Sequence, residues 1–152
     1  MRGRCLGPTA GRALGQLVLC ASAILVGASA LESQLDLGGD AWHVRSSNGS
    51  VAANATVPGV VHTDLLAAGL IPEPFAGFNE LNLRWVALEN WTYTRAFTAP
   101  SAALAAGASF FLEFDALDTV ANVSLNGQPL GVSTNAFVRW QAQLPSGLLR
   151  GT

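Results

Sequence analysis

Between residues 91 and 98 the side chains alternate without a break, with Trp91, Tyr93, Arg95 and Phe97 on one side and Thr92, Thr94, Ala96 and Thr98 on the other. A period of two built from aromatic and β-branched residues demands an extended backbone with one face against a core. Further short runs of this kind cover residues 41–45 around Trp42 and Val44, then 109–114, 119–125, 128–132 and 136–142. Turn residues separate them. Residues 46–50 make a Ser/Asn/Gly turn, and Asn126-Gly127 is a strong hairpin signal, because both central positions of a type I′ turn need positive φ. Successive short strands joined by polar turns predict an all-β fold, an antiparallel jelly-roll-like β-sandwich. One helix interrupts it: Thr63 is placed to cap, Asp64 suits the positive helix end, residues 65–68 favour helix, and Gly69, Pro72 and Pro74 end it. About two turns of helix is too short to stand alone, so Leu65, Leu66 and Leu70 must pack on something apolar. The Ala-rich residues 99–108 read as a connection.

With 152 residues there is room for one domain, and the 50% apolar, 12% charged composition fits a packed body. The opening reads as a secretory leader. Arg2, Arg4 and Arg12 form its positive start, residues 14–26 its apolar core, and Ala28-Ser29-Ala30 its cleavage site, giving a signal peptide over residues 1–30 and a sandwich domain over 31–152. The apolar run falls short of the roughly 20 residues needed to span a bilayer, so no membrane association is expected after cleavage. Both cysteines, Cys5 and Cys20, lie in the leader, which leaves the body without a disulfide or a Cys-metal site. All the carboxylates follow Ala30 while three of the eight Arg precede it, so the body is acidic and lacks the clustered positive charge a nucleic-acid partner requires. Asn48, Asn54, Asn90 and Asn122 each begin an Asn-x-Ser/Thr triplet, a candidate N-glycan acceptor behind a secretory leader.

Three segments carry a resemblance over roughly residues 35–150. Residues 57–93 read VPGVVHTDLLAAGLIPEPFAGFNELNLRWVALENWTY, residues 118–131 read DTVANVSLNGQPLG, and residues 135–140 read NAFVRW. In that order they resemble the β-mannosidase branch of glycoside hydrolase family 2. The resemblance implies a galactose-binding-like sandwich at the amino-terminal end of a lysosomal enzyme that removes terminal, non-reducing β-linked mannose from glycoprotein-derived oligosaccharides. It implies two glutamates on a (β/α)₈ barrel, acting with retention through a covalent intermediate, and such a barrel needs about 250 further residues. The chain is therefore expected to be a truncated amino-terminal part, short of the family's Trp-Asp-Trp segment and of a closing strand, inactive alone, and partnered in cis by the barrel. A free-standing secreted carbohydrate-binding module and a non-catalytic truncated product are the alternatives.

No residue of this chain is expected to be catalytic, and neither a cofactor nor a metal is called for. Glu113, Asp115 and Asp118 form the one close carboxylate cluster. A retaining glycosidase needs two carboxyls about 5 Å apart, but an i, i+2 pair implies no positioned sugar, and acids at strand ends commonly solvate turns. His62, just before the expected helix cap, has only Asp64 as a near neighbour in sequence and reads as a helix-entry residue bonded to backbone; His43, in a strand, is less specific. Two His without Cys leave a zinc site incomplete. Among Trp42, Trp85, Trp91 and Trp140, the alternation assigns Trp91 and Trp140 to the core. Arg84 and Trp85, in a loop-like stretch, are the candidates for a domain interface that the resemblance implies. A secreted preparation is expected to begin at Leu31 and to carry N-glycans foremost on Asn48 and Asn90; mass spectrometry finding an intact Met1 terminus and four unmodified acceptors would refute this.

Overall fold

The computed structural model describes residues 23–27, 34–99 and 109–149. Arg2, Arg4, Arg12, the cleavage site at Ala28–Ala30 and all but the first residue of the Ala-rich connection lie outside them. Among the described residues are nine strands and three short helices. The strands form the antiparallel, sandwich-like arrangement that the alternation predicts.

The first layer has the order β4-β3-β5, from Ala52–Val57, Gly39–Ser46 and Trp91–Thr94. In β3 the alternation holds from Ala41 onward: Trp42, Val44 and Ser46 are buried, Ala41, His43 and Arg45 exposed. Strand β4 was not assigned from the sequence, because its inward residues Ala53, Ala55 and Val57 alternate with small polar ones and carry little hydrophobic contrast. The β3–β4 turn matches the expected one. Asn48 Oδ1 accepts hydrogen bonds from Ser46 Oγ (2.9 Å) and Ser50 N (2.8 Å), and Gly49 takes φ +74°.

The second layer has the order β2-β1-β6-β9, from Gln34–Asp36, Ala23–Gly27, Phe110–Phe114 and Trp140–Gln143, antiparallel throughout. Strand β1 is drawn from the stretch read as the apolar core of a leader. A hairpin, β7 (Ala121–Leu125) and β8 (Gln128–Ser133), turns at Asn126 and Gly127 with φ of 51° and 78°, as the Asn-Gly pair requires. The core lies among these layers: Trp42 and Val44 meet Val57, Tyr93, Leu112, Phe114, Val123 and Leu125. Burying each such side chain contributes about 1.5–3 kcal/mol. Gly131 of β8 is needed for closeness, since a Cβ there would stand 3.2 Å from Trp140 Cζ2 at a φ of +156°.

Four expectations need correction. Strand β5 stops at Thr94, because Arg95 turns to donate from Nη1 to the carbonyls of Leu37 and Gly38, both at 2.6 Å. Strand β9 starts only at Trp140; Phe137, expected inside a strand, is 99% exposed in a turn where its N–H donates to Asn135 Oδ1. The first helix, α1, spans Val61–Ala67 with Val60 as a cap that supplies no side chain, and Thr63 instead donates to the Val60 carbonyl at 2.7 Å. Two more helical turns follow, α2 (Asn79–Asn82) and α3 (Arg84–Leu88), where one helix had been expected.

What holds this helical insert to the sandwich is a buried carboxylate. Asp64, only 6% exposed, accepts the Thr56 N–H on Oδ1 (3.0 Å) and the Tyr93 hydroxyl on Oδ2 (2.9 Å), tying α1 to β4 and β5. Beside it, a Cβ on Gly59 would lie 2.3 Å from the Thr56 carbonyl oxygen, so the Val-Pro-Gly turn admits no side chain there. Asp64→Ala would strand two donors in a dry site, and a loss of about 3 kcal/mol in urea unfolding is expected. Tyr93→Phe keeps the Thr56 bond and should lose about 1 kcal/mol; equal losses would show that the carboxylate does not join the two strands through separate oxygens.

Candidate functional site

Residues 72–90 form a segment that turns most of its apolar side chains outward. Pro72, Pro74 and Gly77 (φ +59°) prevent a long helix, and the two short turns α2 and α3 each have few positions to bury. Leu83 and Val86 point inward, packing with Leu65 and Ile71 in a small cluster at the Ser46 end of the inner face of the β4-β3-β5 sheet. Phe75, Phe78, Leu81, Trp85 and Leu88 do not. Phe75 is 95% exposed and Trp85 40%.

The segment is pinned although its side chains face water. Asn79 Nδ2 donates to the Glu73 carbonyl (2.8 Å), and Glu73 Oε1 accepts the Phe75 N–H (3.3 Å). At the far end Glu89 Oε1 accepts the Ser47 hydroxyl (2.5 Å) and the Asn90 N–H (2.8 Å), fastening the end of α3 to the β3–β4 turn. The Ser47 hydroxyl, then the Asn90 amide, hold the Glu89 carboxyl below its ordinary pKa. Trp91 donates its indole N–H to the Val86 carbonyl (2.8 Å), and its ring lies 6.1 Å from that of Trp85 at an interplanar angle of 47°. Trp85 is therefore backed by an aromatic ring on one side and open on the other. Arg84 stands exposed at the head of α3. A fixed set of exposed apolar side chains is the usual mark of a protein contact or ligand surface.

The other tryptophans serve the interior. Trp42 is fully buried with its N–H on the Leu37 carbonyl (2.7 Å), Trp91 is half-buried between the two clusters, and half-buried Trp140 packs on Phe114 at 5.8 Å. The carboxylate cluster is spoken for as well. Arg139 bridges Glu113 Oε1 (2.9 Å) and Asp115 Oδ1 (3.0 Å), and Gln141 Nε2 donates to Glu113 Oε2 (3.1 Å). With the guanidinium 62% exposed, the bridge contributes about 1 kcal/mol or less. It nevertheless occupies the space between the two carboxyls where a sugar would need to lie. Asp118 is exposed and takes no part in either ion pair.

His62 is half-buried in the first turn of α1, and both oxygens of its neighbour Asp64 already accept bonds from Thr56 and Tyr93. His43 is exposed on β3. Among the described residues no group of His, Cys, Asp and Glu is arranged to hold a metal, and no helix is long and apolar enough to cross a membrane. The four glycan acceptors are all exposed: Asn48 at the β3–β4 turn, Asn54 on β4 opposite His43, Asn90 before β5, and Asn122 on β7. Sequence reasoning singled out Arg84 and Trp85 but missed Phe75, Phe78, Leu81 and Leu88. Their one signal is an apolar content that fits neither a period of two nor one of 3.6 between two prolines and a strand.

Residues 42–151 match the glycosyl hydrolase 2 galactose-binding domain-like family. The β-mannosidase of Mus musculus is 44% identical over 96 residues, covering 63% of this chain and 11% of that protein. The β-mannosidase of Bos taurus is 42% identical over 99 residues (65% and 11%), and β-mannosidase B of Emericella nidulans 46% identical over 93 (61% and 11%). The crystal structure of the β-D-mannosidase from Dictyoglomus thermophilum superposes with a TM-score of 0.67 at 37% identity, covering 74% of this chain and 14% of that one. The chain thus spans about 11% of the length of the curated relatives it matches. Because the match covers most of the chain, from within β3 through the helical insert and the hairpin to beyond β9, the chain belongs to the glycosyl hydrolase 2 galactose-binding domain-like family.

Proposed function

We propose that this chain is the amino-terminal galactose-binding-like domain of a β-mannosidase, a retaining exoglycosidase that removes terminal β-linked mannose from glycoprotein-derived oligosaccharides in the lysosome. The observation that carries the reading is identity above 40% to β-mannosidases of a mammal and a fungus, over 96 and 93 residues. In this role the domain supplies no catalytic group. The pair of carboxyls that retention requires comes from a barrel, and the one close carboxyl pair among the described residues is bridged by Arg139. Its task is to dock in cis on that barrel through Phe75, Phe78, Leu81, Trp85 and Leu88, with Arg84 at the rim. Burying such a surface is favourable by about 25 cal/mol per Å² of apolar area, and a rigid aromatic such as Trp85 is the expected anchor. Signal cleavage, glycosylation of the four exposed acceptors and delivery through the secretory pathway complete the reading.

A chimera tests it, with this chain's residues replacing the matching stretch of the Mus musculus enzyme. Hydrolysis of an aryl β-mannoside is expected from the chimera and none from this chain alone. Phe75→Ser combined with Phe78→Ser, at positions 95% and 78% exposed in the isolated chain, should lower the chimera's thermal midpoint and reduce its activity about tenfold or more, while leaving the unfolding of the isolated chain unchanged. A chimera indifferent to both changes would refute the docking face. Turnover by the isolated chain that disappears in Glu113→Ala would refute the non-catalytic role.

A further inference from the structure

Strand β1 is the element on which the second sheet depends. It pairs with β6 at five successive positions, from Ala23 opposite Phe114 to Gly27 opposite Phe110, and on its other edge with β2, Ile24 opposite Asp36 through Val26 opposite Gln34. Among the described residues strand β2 has no other neighbour in the sheet, whereas β6 is also paired with β9. Withdrawing residues 23–27 therefore detaches β2 and leaves one backbone edge of β6 unpaired. That edge belongs to a strand whose Phe110, Leu112 and Phe114 form part of the core. An open edge on so apolar a strand is a template for another extended segment.

The residues that fill the position are Ala-Ile-Leu-Val-Gly, apolar, uncharged and rich in β-branched side chains. They are also the end of the run that reads as the apolar core of a secretory leader. One segment cannot be a leader held by the translocation and cleavage machinery and a paired strand at the same time. We propose that β2 and β6 border a strand-acceptor slot specific for an extended apolar segment antiparallel to β6, and that the chain's own residues 23–27 occupy it whenever the leader is retained. Folding before translocation hides the leader inside the sheet, and cleavage after Ala30 opens the slot. The occupation of the slot rests on strand pairing alone; only its opening by cleavage rests on the secretory reading.

The test uses the full chain made in a cytosol, where residues 1–30 remain attached, with Cys5 and Cys20 changed to Ser. Leu25→Cys with Leu112→Cys, which are direct partners, is expected to cross-link on oxidation. Val26→Cys with Phe114→Cys, three positions out of register, is expected not to. A chain that forms neither link, or both equally, overturns the proposal. In a second arm a protease site is placed after Ala30 and the folded chain is cut. The 1–30 peptide should stay bound, and a synthetic peptide of residues 20–30 in excess should exchange with it. Removing all peptide should speed amide exchange at residues 110–114 at least tenfold. Prompt release of the leader with unchanged exchange there would overturn the slot, and would do so even where secreted material proved to start at Leu31.

Discussion

The Asp64 carboxylate is the junction on which the non-sandwich part of the molecule depends. It sits in the first turn of a helix too short to persist alone, and it satisfies a backbone donor of β4 and the hydroxyl of β5 at once. Without this tie α1 would lose its polar link to β4 and β5, and the insert would rest on the Leu65, Ile71, Leu83 and Val86 cluster and on the bonds at its far end from Ser47 to Glu89 and from Trp91 to Val86. With it, a segment of three short helices becomes a fixed attachment to the sandwich. The tightness extends to the turn before it, where the Thr56 carbonyl excludes any side chain from position 59. Buried charges accepting hydrogen bonds from two different strands are costly to disturb, since each lost partner leaves a dry polar group.

That rigidity gives the exposed apolar side chains of residues 75–88 their meaning. On a mobile loop they would collapse inward or order only at an entropic cost on contact; here Asn79, Glu73 and Glu89 have already fixed the backbone that carries them. The domain presents a prepared surface. In its acidic cluster, by contrast, Glu113 and Asp115 are both engaged by Arg139, and its tryptophans other than Trp85 are engaged in packing. On the proposed reading the sandwich contributes shape and contact, and the chemistry belongs to the barrel.

The two sheets differ in how they are secured. The β4-β3-β5 layer is built from three strands consecutive in the chain, the last two joined by the helical insert that braces the layer. The β2-β1-β6-β9 layer brings together distant segments and is bridged by a strand from the chain's opening residues. Because strand pairing is satisfied by backbone groups, any extended apolar segment of suitable direction can compete for such a position. On the proposed secretory reading the opening residues then have two roles that exclude each other.

Sequence alone determined the features that rest on local rules. Alternation located a strand around Trp42 and Val44, Asn-Gly located the hairpin at Asn126 and Gly127, and the order of motifs from Val57 to Trp140 pointed to the family. Strand β4 escaped notice because Ala and Asn give almost no hydrophobic contrast, and α2 and α3 because a helical turn or so carries no readable period. Tertiary structure alone decided the rest. Arg95 leaves its strand because two carbonyls of a distant turn are within reach, Phe137 is expelled because the turn around Asn135 replaces the strand there, and residues 23–27 become a strand because β2 and β6 offer open edges. For Arg95 and for residues 23–27 the deciding partner lies far away in the chain, where no local pattern can record it, whereas the turn at Asn135 is local but carries no hydrophobic period.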